Sequence, residues 1–213
     1  MESGAPSARA AVGVAAALML VAAVENTVVP WAPFYVVYAA LTLALPVIFG
    51  SVTIARVRLP RWPYWIAAIG LALVLQGVFR LLTRTVDLVG MFGAVFDAAA
   101  ARLNRPPAAI ARAYLLLITI WAGLGEELFY RGYLQARLRR RFGALTAIVG
   151  ASAIFAVRHY TQVLIAWPHV PWSAATIWVV AAFIFGLAAG WLYEKSGSLL
   201  PPILCHYAFN LLA

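Results

Sequence analysis

The hydrophobic positions of the chain form long continuous runs, separated by short polar gaps that carry most of the charges. A helix that crosses a bilayer needs about 20 apolar residues in succession, whereas a barrel strand alternates apolar and polar positions. The runs therefore predict membrane-spanning helices and exclude an outer-membrane barrel. We predict helices at 11–31, 34–55, 63–83, 108–138, 144–158, 173–194 and 199–212.

A less hydrophobic segment, TVDLVGMFGAVFDAAAARLNRPP, separates the third predicted helix from the fourth. It carries Asp87, Asp97, Arg102 and Arg105, a composition typical of an amphipathic helix at the membrane surface. The prolines that follow Arg105 end it before the next span. The predicted fold is thus all-α: a polytopic transmembrane helical bundle of about seven spans plus one interfacial helix, forming a single transmembrane domain over 1–213.

Composition agrees with this fold class. Hydrophobic residues make up 65% of the 213 positions and charged residues 11%, and the mean hydropathy is +0.91. A soluble domain is about half apolar and a quarter charged. The net charge of +9 does not indicate a nucleic-acid partner, because the arginines lie in the short gaps where basic residues set membrane topology.

The same basic residues orient the chain. Clusters follow the second predicted helix (Arg56, Arg58, Arg61) and the fourth (137–141), and the positive-inside rule places both at the cytoplasmic face. The N-terminal apolar run lacks a clear cleavage site, which favours a retained span over a signal peptide. Frequent Ala, Val and Arg with little Lys is typical of GC-rich bacterial genomes. We therefore expect an integral protein of a bacterial inner (cytoplasmic) membrane.

The stretch GEELFYRG, residues 125–132, places ionisable groups inside an apolar helix. Such groups cost a few kcal/mol in hydrocarbon, so they are usually paired, water-facing and functional. Glu127 and Arg131 are four residues apart and share a helical face, which predicts an ion pair. Glu126 lies about 100° round the axis and is free to point elsewhere. The alternative is that all three are solvated at the cytoplasmic end of the helix.

Two further pairs have helical spacing. FAVRH places Phe155 and His159 four residues apart at the end of the fifth predicted helix, and CHYAFN does the same for His206 and Asn210 in the last. A lone histidine inside a membrane is more often structural than catalytic, but a His–Asn pair facing one way is costly in lipid. Together with the glutamates, these residues predict an internal polar cavity.

Other candidates have ordinary interpretations. Cys205 adjoins His206, but helical neighbours point about 100° apart, so we interpret the cysteine as a small buried apolar residue. A single cysteine forms no disulfide within the chain. His169, in the WPHVP loop, is interpreted as a surface residue. Gly186 and Gly190 have the spacing of small residues at close helix contacts.

Three motifs, Glu126-Glu127-x-x-x-Arg131, Phe155-x-x-x-His159 and His206-x-x-x-Asn210, resemble in order and spacing those of the CPBP family. These are the intramembrane proteases related to the CAAX prenyl endopeptidase, which include abortive-infection and bacteriocin-processing proteins. The similarity runs from about residue 110 to the C-terminus. It implies that 108–213 holds the catalytic core helices and that 1–107 adds N-terminal helices.

The resemblance also implies roles for the matching residues. Glu126 and His159 would activate the hydrolytic water, and His206 and Asn210 would bind the oxyanion. Glu127 and Arg131 would order the site. The implied reaction is hydrolysis of a peptide bond in a membrane protein or a lipidated, hydrophobic peptide at the bilayer.

Three alternatives remain at this stage. We expect no cofactor, but a zinc-dependent protease with Glu126, His159 and His206 as ligands is a close rival, because glutamate and histidine are standard zinc ligands. A non-enzymatic binding or immunity protein would keep the scaffold without the chemistry. A transporter is disfavoured because the sequence shows no inverted repeat.

Overall fold

The computed structural model of the protein describes residues 7–28, 36–49, 57–84, 86, 104–165 and 171–212, together with 93, 97, 100, 101 and 103. The described residues are mostly helical and none forms a strand, which confirms the all-α class. The α-helices are α1 (Ala8–Val28), α2 (Val36–Ile48), α3 (Trp62–Thr83), α4 (Pro107–Leu117), α5 (Ala136–Phe142), α6 (Ala144–Ile165), α7 (Trp172–Ser196) and α8 (Leu200–Leu212). Two π-helical segments, π1 (Ile118–Glu126) and π2 (Leu128–Gln135), join α4 to α5.

The segments α4, π1, π2 and α5 follow one another without a break and together form what we call the motif helix. The sequence pattern predicted regular α-helix here, but the middle of the motif helix has the wider π-type turns. Gly123 and Gly125 lie in π1, and glycine is the poorest helix former after proline. π-type turns are frequently found at functional sites, and here they adjoin the two glutamates.

Three of the described helices are long and apolar enough to cross a membrane: α1 over Ala8–Glu25, α3 and α7. The predicted total of about seven spans is therefore not confirmed. α2 is apolar but shorter than a span. Most of the predicted interfacial helix, including Asp87 and Arg102, lies outside the described residues.

Glu25, the charged residue inside the first apolar run, binds the N-terminus of α2. Glu25, near the end of α1, accepts hydrogen bonds from the backbone N–H groups of Val37 (3.0 Å) and Tyr38 (3.2 Å). The first N–H groups of a helix have no partner within it, and the helix dipole makes that end positive. Glu25 therefore caps α2 and fixes its start against the end of α1.

The motif helix lies at the centre of the packing, in contact with α1, α2, α6, α7 and α8. Outside it, small residues let helices approach closely. α1 buries Ala11, Ala15 and Ala22 along one face against α6, where Ala147 and Ala151 are also buried. Without a hydrophobic driving force between helices in lipid, such close packing is a main source of association.

The helix that carries His159 is longer than predicted. We expected it to end near 158, but α6 continues to Ile165 because YTQVLI contains neither glycine nor proline to stop it. His159 therefore lies within the helix, one turn after Phe155. α7 ends at Gly197, which has a φ of +62° and closes the helix through a hydrogen bond from its N–H to the Tyr193 carbonyl (2.9 Å).

Candidate active site

The two adjacent glutamates lie where π1 meets π2, and both are buried. Glu126 is 2% exposed, Glu127 0% and Arg131 1%. The alternative in which these charges are solvated at the cytoplasmic end of the helix is therefore wrong. A buried charge is tolerated only when it is paired, so the partners of each group decide what the site is able to do.

Glu127 and Arg131 form the predicted ion pair. The Arg131 Nη1 donates to Glu127 Oε1 at 2.9 Å, and Nη2 donates to the Gly186 carbonyl of α7 at 3.2 Å. The guanidinium also lies above the Phe155 ring, 4.8 Å from its centroid. Arg131 thus links the motif helix to both α6 and α7.

His206 is held between the two glutamates. Its Nδ1 is 2.9 Å from Glu127 Oε1, and its Nε2 is 3.8 Å from Glu126 Oε2. The ionised Glu127 only accepts hydrogen bonds, so Nδ1 carries the proton in this bond. In neutral His206, Nε2 is then an acceptor, and it becomes a donor only when the ring is protonated.

His159 is oriented in a similar way by its own helix. Its Nδ1 donates to the Phe155 carbonyl at 2.8 Å, which leaves Nε2 with a lone pair in the neutral ring. The Phe155 ring lies between the two histidines, with centroid distances of 4.6 Å to His159 and 6.3 Å to His206. In the described part of the chain, no hydrogen bond or ion pair joins His159 to Glu126.

Asn210 follows His206 by one helical turn and is half-buried. Within the described residues its side chain makes no hydrogen bond. The end of α8 around it is nevertheless fixed by α3. Gln76 Nε2 donates to the Phe209 carbonyl (2.5 Å) and Arg80 Nη2 donates to the Leu212 carbonyl (2.9 Å), which satisfies carbonyls that a helix end leaves unpaired.

One functional candidate was missed by the sequence analysis. Arg158, the residue before His159, contacts Glu126 Oε1 through its Nη2 and is 1% exposed. Its guanidinium lies over the Tyr38 ring of α2, 4.9 Å from the centroid, and the Tyr38 hydroxyl is hydrogen-bonded to that of Tyr130 (2.9 Å). The only signal in the sequence was a basic residue beside a motif histidine.

We call the following buried ionisable side chains of the motif helix, α6 and α8 the polar cluster: Glu126, Glu127, Arg131, Arg158, His159 and His206. The motif helix supplies Glu126, Glu127 and Arg131, α6 supplies Arg158 and His159, and α8 supplies His206. Every member is buried, with exposures of 0–8%. The cluster is packed closed, so the predicted internal cavity is not confirmed.

The charges within the polar cluster balance without a metal ion. Each glutamate has one arginine against it, Arg158 for Glu126 and Arg131 for Glu127. Over the residues that the structure describes, no group of three or more His, Cys, Asp or Glu side chains is arranged to hold a metal. A divalent cation would have to lie beside two buried guanidinium groups, so the predicted zinc ligands Glu126, His159 and His206 do not fit a metal in this arrangement.

Of the two weaker candidates, the structure describes only Cys205. Cys205 is a fully buried free thiol within the apolar core, as its interpretation as a small buried residue predicted. His169 lies outside the described residues.

Gly186 is expected to tolerate no side chain. A Cβ there would lie 2.9 Å from Ser152 Cβ and 3.1 Å from Ser152 Cα, and forced overpacking typically costs about 1–3 kcal/mol. Gly186→Ala should therefore lower the unfolding temperature and, by shifting the carbonyl that holds Arg131, the activity. Gly77→Ala is the control, since nothing lies within 4 Å and alanine is the better helix former by about 1 kcal/mol. Equal unfolding temperatures for the two variants in detergent would contradict this packing.

The family model of the type II CAAX prenyl endopeptidase Rce1-like proteins matches residues 108–212. This half of the chain is a Rce1-like domain. The match begins at the start of the motif helix and includes all three motifs, which confirms the resemblance inferred from them. Comparisons with curated proteins and with solved structures give no match.

The Rce1-like domain at 108–212 indicates intramembrane protease activity, and together with the membrane-capable helices it indicates an integral membrane protein. The N-terminal helices outside the matched range also reach the polar cluster and α8. Tyr38 of α2 lies under Arg158, and Gln76 of α3 holds the end of α8. Side chains from the N-terminal helices, outside the matched range, thus contact residues of the Rce1-like domain.

Proposed function

We propose that the protein is an intramembrane endopeptidase that hydrolyses a peptide bond in a membrane-associated protein or a lipidated peptide, with Glu126 as the general base. One observation supports this most strongly. Segments far apart in the sequence, the motif helix, α6 and α8, bring the motif glutamates and His206 into contact within one buried cluster. Buried ionisable groups gathered in this way are typical of reaction sites rather than of lipid-facing helices.

The proposed reaction begins when Glu126 takes a proton from water as the water oxygen attacks the carbonyl carbon of the substrate. The carbonyl electrons move to its oxygen and form a tetrahedral oxyanion. When the carbon–nitrogen bond breaks, the proton held by Glu126 passes to the leaving amine. A positioned carboxyl group acting as base and then acid contributes about 10²–10⁴-fold to such reactions.

The other motif residues support this step. His159, with Nδ1 bound to the Phe155 carbonyl, presents Nε2 as an acceptor that orients the water. Glu127, which is paired with Arg131, holds His206 in place through Nδ1. Protonated His206 and the Asn210 amide then donate to the oxyanion. Because Glu126 is 2% exposed, substrate and water reach it only when neighbouring helices move apart.

We further propose that the enzyme works in a bacterial inner membrane, without nucleic acid and without a metal cofactor. The match to a CAAX prenyl endopeptidase family makes a prenylated peptide the first substrate to test. The helices present apolar faces to the bilayer, so we expect a lipidated peptide to approach the enzyme through the bilayer.

The purified protein in proteoliposomes is expected to cleave a farnesylated peptide that ends in a CAAX sequence, and mass spectrometry will identify the new termini. Cleavage should persist after treatment with 1,10-phenanthroline, because the charges of the polar cluster balance without a metal. The same peptide without its prenyl group measures the contribution of the lipid. Stoichiometric zinc whose removal abolishes cleavage would overturn the metal-free mechanism, and an uncut peptide would contradict this substrate class.

A further inference from the structure

Arg158 carries hydrogen-bond donors that nothing in the described residues uses. Its Nη2 contacts Glu126, but Nε and Nη1 are buried and have no hydrogen-bond acceptor in the part of the chain that the structure describes. The side chain is 1% exposed, and one flank is occupied by the Tyr38 ring. A buried donor left unpaired lowers stability, and more so when the group is charged.

The position of these donors is more informative than their cost. They belong to the same guanidinium that touches the proposed base, so they lie within a few ångströms of the place where water would attack. Arginine presents its N–H groups in a rigid planar fork that suits carboxylates and other oxyanions. We propose that Arg158 is a catalytic residue that donates to the oxyanion of the tetrahedral intermediate and then to the new carboxylate. This inference rests on the proposed protease function.

The histidine geometry leaves room for a further oxyanion donor besides the Asn210 amide. Both histidines donate their Nδ1 proton in a hydrogen bond. His159 donates to the Phe155 carbonyl and His206 donates to Glu127. In their neutral forms, both rings therefore present only an acceptor at Nε2, and His206 donates only when protonated. Arginine remains protonated throughout, so Arg158 provides a donor that does not depend on the state of either histidine.

The charge movement in the reaction explains why Arg158 also pairs with Glu126. Before attack, the negative charge is on Glu126. When the water oxygen bonds to the carbonyl carbon and its proton passes to Glu126, that carboxyl becomes neutral and the charge moves to the substrate oxygen. The same guanidinium is then able to stabilise both states. Its spare donors are used only after attack, and only interactions that strengthen in the transition state raise the rate.

The test uses the full-length protein in proteoliposomes and the farnesylated CAAX-type peptide. Arg158→Gln is expected to lower kcat about 10²–10³-fold, the usual effect of removing one oxyanion donor, with little change in KM. Arg137→Gln is the matched control. Arg137 is also a buried arginine over a tyrosine ring (Tyr133, 5.6 Å), but it donates to the Phe49 carbonyl, outside the polar cluster. This control should lose stability and keep a kcat close to that of the wild type.

A second readout distinguishes a donor from a structural role. The N-terminal product of the peptide ends in a carboxylate, and the same product can be synthesised with a terminal amide. The wild type and Arg137→Gln should be inhibited more strongly by the carboxylate form, and Arg158→Gln should be inhibited equally by both. Thermal unfolding in detergent monitors the fold, and Arg158→Met, which keeps an unbranched side chain but has neither the charge nor the donors, takes the place of Arg158→Gln if the latter does not fold.

Each outcome decides the proposal. A folded Arg158→Gln or Arg158→Met protein with the wild-type kcat, or with an undiminished preference for the carboxylate product, would overturn the role of Arg158 and leave the proposed protease intact. A wild-type protein that does not cleave the peptide would instead contradict the proposed function and this inference with it. Loss of kcat together with loss of the carboxylate preference, in Arg158 variants alone, would establish the donor.

Discussion

Glu126→Gln is expected to lower the rate of peptide hydrolysis by about 10²–10⁴-fold while leaving the fold in place. The substitution keeps the size of the side chain and an oxygen on the side of Arg158, but the amide has no basic lone pair to take the proton of the attacking water. The lost rate corresponds to about 3–5 kcal/mol at roughly 1.36 kcal/mol for each factor of ten. The measurement is kcat for the farnesylated peptide, with thermal unfolding as a check on folding.

Glu194→Gln is the matched control for this loss. Glu194 is also paired with an arginine, Arg139 (2.5 Å), but that pair lies at the surface, where such bonds contribute about 0–1 kcal/mol. Its substitution should leave kcat unchanged. In cells, the termini of membrane proteins should differ between the wild type and Glu126→Gln. If no terminus differs and the cellular phenotype is intact, the binding or immunity alternative replaces the protease.

The residues of the three motifs were predictable because ionisable groups are conspicuous inside apolar runs. Helical spacing alone predicted the pair of Glu127 with Arg131, and the different orientation of Glu126 agrees with its contact to Arg158 of α6. The physical reason is simple. Neighbours along one helix have nearly fixed relative directions, so local pairs can be inferred without any tertiary structure.

Contacts between helices were not predictable in the same way. Arg158 was overlooked because basic residues near helix ends usually set topology, and the predicted end of its helix lay at 158. Once α6 continues to Ile165, the same side chain lies inside the bundle and faces Glu126. Tyr38 and Gln76 are uncharged and belong to none of the three motifs. Only the packing of α2 and α3 shows that Tyr38 contacts Arg158 and that Gln76 contacts the end of α8.

The sequence also predicted regular geometry where the structure is irregular. Hydrophobic runs reveal that a helix exists, since they record which surfaces avoid water, but they do not distinguish α-type from π-type turns. Seventeen residues of the motif helix, counted as nine in π1 and eight in π2, have the wider turns. The rise of about 1.5 Å per residue of an α-helix therefore does not give the distance along the motif helix from Glu126 to Arg137.

The pair of Glu127 with Arg131 is expected to give the largest effect on stability. Glu127→Gln leaves a buried guanidinium without its counter-ion, and Arg131→Met leaves a buried carboxylate with only His206. Breaking one partner of a buried ion pair costs about 3–5 kcal/mol, because the remaining charge stays out of water. Each single variant should therefore show a strongly reduced free energy of unfolding in detergent.

The double variant separates the pair from its surroundings. Glu127→Gln combined with Arg131→Met removes both charges, so it should lose much less stability than the sum of the two single losses. The same cycle on the surface pair of Arg139 with Glu194 should give a coupling of about 0–1 kcal/mol. Additive losses at the buried pair would mean that each charge is neutralised by other groups. In that case Glu127 would no longer be available as the fixed acceptor that orients His206, and the assignment of its Nε2 to the reaction would have to be given up.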